Sequence, residues 1–193
     1  MRLILAGVLA GVVMFMWGGI AHMALPLGKM GIQSLPGEDT VLSALQTSIP
    51  ADGLYFFPGM DMSRKPTADE QRAWEAKYMA GPHGIIVYHR HGSSPLSPRQ
   101  LLAELVADIL ACIVAAIVLT RVVAGFGTRV LAATGFGLIA WLSVSASYWS
   151  WYGFPQPFVL AEAVDQVVGW FLAGLVLALL LAFGVWTALG ISW

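Results

Sequence analysis

Glu104 and Asp108 stand four residues apart inside one apolar run, and Glu162 and Asp165 stand three apart near the head of another. On a helix either spacing puts both carboxylates on one face. Cys112 and Ala115 continue the first stripe, and Gly169 and Ala173 lie below the second pair, so both faces are narrow enough to pack against other helices. His22, at the far end of the first apolar run, is the fifth member of this group. Ionisable side chains at such depth cost roughly 2.5–3.5 kcal/mol each on insertion scales, so something must offset them. Three chemistries would do so. The group pairs with Arg99, Arg90 or the backbone and docks a polar domain; it forms a protonatable or ion-binding pocket; or it ligates a divalent metal.

A weaker pair, His89 and His91, would place two imidazoles on the same face of a strand. No Cys-x-x-Cys, His-Glu-x-x-His or repeated Glu-x-x-His pattern accompanies either group, so no cofactor is implied and a metal rests on residue type alone. Ser143, Ser145 and Ser147 have no neighbouring His or Lys to activate them, and glycine-rich phosphate loops are absent. For these serines the sequence leaves a choice between hydrogen bonds across helices and bonds to their own turn. No constellation specifies catalysis.

The elements that must hold these residues are set by hydrophobicity. Of 193 residues, 58% are hydrophobic and only 11% charged, against roughly 45–50% and 25% in soluble domains. Most of the charge falls between Lys29 and Arg99. A crossing needs roughly 20 apolar residues, because each adds about 1.5 Å across a core about 30 Å thick. Four windows suffice: one ending at Leu25, then 101–123, 130–149 and an unusually long 158–189. The expected fold is mainly α, a four-transmembrane-helix bundle with a small α/β insertion, residues 26–100, between helices 1 and 2. Gly7-x-x-x-Gly11 permits close helix contact, within the chain or across a dimer.

Arg2, Arg121 and Arg129 fall on one side of this arrangement, and the 150–161 connection carries no Lys or Arg. The positive-inside rule then makes both termini cytoplasmic and residues 26–100 extracytoplasmic. The six tryptophans Trp17, Trp141, Trp149, Trp151, Trp170 and Trp186 read as interfacial anchors. Within the insertion, Glu38–Ser48 reads as an amphipathic helix, 54–57 and 84–89 as strands, and Thr67-Ala-Asp-Glu70 as a capping box opening a second helix. Two strands and two short helices bury too little to be stable alone. A net charge of −1 with no basic run removes nucleic acid from the partners, leaving the lipid bilayer and a second copy or another membrane protein.

Trp17-Gly-Gly-Ile-Ala-His22 running into Leu25-Pro-Leu-Gly, then Ser34-Leu-Pro-Gly-Glu-Asp39, Gly53-Leu-Tyr-Phe-Phe-Pro58 and Trp149-Ser-Trp-Tyr-Gly-Phe154 form a further pattern. In it the chain resembles a group of uncharacterised bacterial four-helix inner-membrane proteins. The resemblance implies architecture and bacterial origin, and no activity. The functional expectation is a non-enzymatic accessory or interaction protein. The alternatives are a small oligomeric ion- or proton-coupled transporter and a metal-binding membrane protein.

Overall fold

The structure is a computed structural model describing residues 2–121 and 125–182. It divides into two compact units, one of residues 1–33 with 95–193 and one of Ser34–Ser94.

Among the described residues the larger unit holds four helices long and apolar enough to cross a membrane: Arg2–Ala24, Pro98–Arg121, Phe126–Tyr152 and Gln156–Leu180. The first is α1, Arg2–Gly19, prolonged by a π-helical turn, Ile20–Ala24, and followed by a 3-10 turn, Pro26–Lys29. The second and fourth are α4, Pro98–Arg121, and α7, Gln156–Leu180. The third comprises α5, Phe126–Ala140, a π turn at Trp141–Ser145 and α6, Ala146–Tyr152. The helices that hold the windows 101–123 and 130–149 begin ahead of them, at Pro98 and Phe126, and the fourth, expected over 158–189, ends at Leu180. The segment of the fourth window beyond residue 182, and Trp186 with it, lies outside the described residues.

Helix α1 packs against both α4 and α7, α7 also packs against α5, and α4 and α5 meet little. The residues at these seams are small. A core of Ala6, Ala10, Cys112, Ala115, Ala116 and Ala133, with Leu119, Ala173 and Leu177, is buried. Lipid is as apolar as leucine, so where lipid surrounds such helices their association depends on close backbone approach rather than on removal from water. The glycines show how close that approach is. A Cβ on Gly7 would fall 2.7 Å from the Ile113 Cα, and one on Gly11 would fall 2.5 Å from the Ile109 Cα. The Gly7-x-x-x-Gly11 pair therefore seats α4 on α1 within the chain. Gly137 does the same for α5 and α7, where a Cβ would lie 2.4 Å from the Gln166 carbonyl oxygen. At the other end of α7, the Arg129 Nη1 donates to the Leu181 carbonyl at 3.1 Å and so satisfies one of its orphan acceptors.

The smaller unit runs α2 (Glu38–Ser48), β1 (Gly53–Phe57), α3 (Ala68–Ala80) and β2 (Gly84–Tyr88). The strands pair antiparallel with Leu54 opposite Val87 and Phe56 opposite Ile85. Both halves of the capping box at Thr67 are present. Arg64 places a two-pronged contact on Glu70, which also accepts from the Thr67 N–H at 2.8 Å. Trp74, Tyr78 and His83 form a run of ring contacts, with Tyr78 and His83 stacked at 4.3 Å between centroids. Tyr88 is the one buried hydrophobic residue of this unit, and neither α2 nor α3 buries any residue.

Candidate functional site

His22 reaches its position through the π turn that ends α1. The Leu25 N–H donates to the Ile20 carbonyl at 2.9 Å, five residues back, and the wider turn re-aims the side chains it carries. The chain then doubles back through the 3-10 turn, and Gly28 lies against His22 itself. A Cβ there would stand 2.8 Å from the His22 carbonyl oxygen and 2.9 Å from its Nδ1. Gly31, at φ +76°, turns the segment onto the first turn of α7, where a Cβ would meet the Phe158 nitrogen at 2.7 Å. A left-handed backbone and a close approach coincide at Gly31, and glycine satisfies both.

On α7, Asp165 receives His22. The His22 Nε2 lies 3.4 Å from the Asp165 Oδ2, at the long end of nitrogen–oxygen hydrogen bonding, while the other carboxylate oxygen, Oδ1, is buried with no hydrogen-bond partner. The backbone of the same residue is also engaged, since the Trp17 Nε1 donates to the Asp165 carbonyl at 3.2 Å. Glu162 lies within electrostatic reach of Asp165 and His22, and Asp108 within reach of Glu104 and Asp165. The five sequence candidates on α1, α4 and α7 thus occupy one neighbourhood. Glu104 is exposed at its edge, and Asp108, Glu162 and Asp165 are half-buried.

Arg90 and Arg99 are the cationic partners that the sequence offers this group. Arg90 belongs to the smaller unit, where its N–H donates to the Asp52 Oδ1 at 2.8 Å and its guanidinium to the Pro50 carbonyl. Among the described residues no ion pair joins Arg99 to any of the five. His89 and His91 also differ from expectation. Strand β2 closes at Tyr88, so both histidines lie beyond it rather than on one of its faces. The His89 Nδ1 stands 3.6 Å from the Asp52 Oδ2. The backbone bond from Arg90, more than that imidazole, holds the Asp52 carboxyl below its ordinary range. Among the described residues no group of three or more His, Cys, Asp or Glu is placed to hold a metal ion.

Two of the tryptophans read as interfacial anchors make hydrogen bonds to α7. Trp17 and Trp141 each turn the indole N–H onto a carbonyl of α7, the latter onto Val159 at 2.8 Å. Only hydrogen-bond geometry shows this, because an indole in an apolar helix reads the same whether it faces headgroups or a neighbour. Ser143 and Ser147 bond the carbonyls of Ile139 and Ser143, one turn back, which resolves their two options in favour of the local one. The chain matches no family model, no curated protein and no solved structure.

Proposed function

We propose that the chain is a non-enzymatic accessory or interaction protein of the bacterial cytoplasmic membrane. In this reading both termini are cytoplasmic and residues 26–100 are periplasmic. One observation carries it. The smaller unit presents the cross-strand pair Leu54 and Val87 at 67% and 68% exposure, beside an exposed Phe56, and has a single buried hydrophobic residue. An isolated two-stranded sheet is marginal in water, and removing apolar surface from water is worth roughly 25 cal/mol per Å². A second protein surface laid on that face supplies the burial that the unit lacks. The test is the mass of the protein captured with its native lipids in nanodiscs. A discrete assembly larger than one chain supports the reading; a population of single chains only would count against it.

The His22–Asp165 neighbourhood favours a second reading, an oligomeric ion- or proton-coupled transporter. Among the described residues its carboxylates pair with no Lys or Arg, only His22 meeting Asp165, and one oxygen of Asp165 is buried without a bond. Four helices form a gated pathway only in oligomers. Replacing Asp108 by Asn should abolish transport by proteoliposomes while the helical signal and oligomeric state persist. Retained flux would remove this reading.

A further inference from the structure

Met60 and Met62 lie in the irregular stretch between β1 and α3, two residues apart, and both line one cavity of about 580 Å³. Neither is needed as core filler: Met62 is 86% exposed and Met60 is only half-buried. Trp74 lines the same cavity, and its Nε1 donates to the Pro58 carbonyl at 2.9 Å, which pins the indole in place. Gln71, also on the wall, spends its Nε2 on Glu75 at 2.7 Å and keeps its carbonyl oxygen. The carboxylate between the two methionines is occupied locally, since the Asp61 Oδ1 accepts from the Ser63 N–H at 2.9 Å and its hydroxyl at 2.6 Å. The soft donors left at the cavity are therefore two thioethers and an aromatic ring, beside the Gln71 carbonyl oxygen. Thioethers select soft monovalent metals over hard divalent ones, and an indole face attracts a cation within about 6 Å of its centre. The unit contains no thiol that would compete, because Cys112 is buried in α4.

The geometry points to a binding site for a soft monovalent cation, Cu(I) or its redox-inert analogue Ag(I), held by the Sδ atoms of Met60 and Met62 against the indole of Trp74. The cavity is also lined by Leu54 and Phe56, which belong to the face that carries the accessory reading, and metal binding is measured without reference to that reading. The site is tested by titrating Ag(I) into the full chain in lipid nanodiscs, beside the double variant Met60→Leu, Met62→Leu. Leucine keeps the volume and removes the sulfur, and the variant's circular dichroism is compared with the parent's as a check on folding. The expected result is one Ag(I) per chain in the tightest site, weakened at least about tenfold in the double variant, the scale on which loss of even a supporting partner weakens a metal site. The parent should also show tryptophan quenching by Ag(I) that Trp74→Phe lacks. A double variant that binds Ag(I) as the parent does, or a parent that binds none, overturns the site. Equal quenching in Trp74→Phe overturns the role of the indole.

Discussion

Glu70 shows how much one surface carboxylate can organise. It accepts from Arg64, from the Thr67 N–H and from the Thr67 hydroxyl, and its own N–H is 3.3 Å from the Thr67 Oγ1. Arg64 first, and the Thr67 backbone second, lower its pKa from 4.5 to about 2. A carboxyl depressed in the folded state contributes stability that is present above its unfolded pKa and lost as pH falls through the folded one. The contribution of Glu70 should thus be complete above about pH 4.5 and vanish toward pH 2. Melting curves of the parent should fall across that window more steeply than those of Glu70→Gln; parallel curves would show that the pair is idle. The capping box was readable in the sequence because its residue types sit at a fixed spacing. The Asp52 contacts with His89 and Arg90 were not, because a separation of 38 residues leaves no local signal. The five-membered group was legible as residues and helix faces, since periodicity places side chains on a face. Its lack of an arginine partner was not, because a long cationic side chain can reach in many directions.

At the level of elements, hydropathy windows locate apolar helices well and packing poorly. Small residues mark a seam without naming its partner. The sequence left Gly7 and Gly11 open to a contact within the chain or across a dimer, and the structure spends them on Ile113 and Ile109 of α4. Adding a methyl there forces backbones apart. Gly7→Ala should destabilise the helical unit by roughly 1–3 kcal/mol, the usual cost of overpacking, read as a lower melting temperature in detergent. Gly18→Ala on the same helix is the control, because a Cβ there meets nothing within 4 Å, and it should leave the melting temperature unchanged or raise it. Equal losses in both variants would mean that the close approach at Gly7 does not set the effect. The π turn at Trp141–Ser145 has no adjoining proline or glycine pair to mark it in the sequence, whereas the one at Ile20–Ala24 directly follows the pair Gly18-Gly19. The latter turn carries His22.

For the molecule as a whole, the two units solve different problems. The helices satisfy their backbone internally and pack through alanine and glycine, which suits an apolar surround. The smaller unit has an ordered sheet, a well-capped helix and an aromatic run, yet leaves apolar side chains such as Leu54, Val87 and Met79 exposed. We propose that such a unit is completed by something outside itself. The most direct measurement is photo-crosslinking in native membranes, with the reactive group placed at Leu54 or Val87 and, for comparison, at the exposed Asp69 on α3. The account predicts a discrete protein adduct, either a second copy or one defined partner, from the Leu54 and Val87 positions and little from the control. Crosslinks to lipid alone, or equal and diffuse labelling from all three positions, would contradict it.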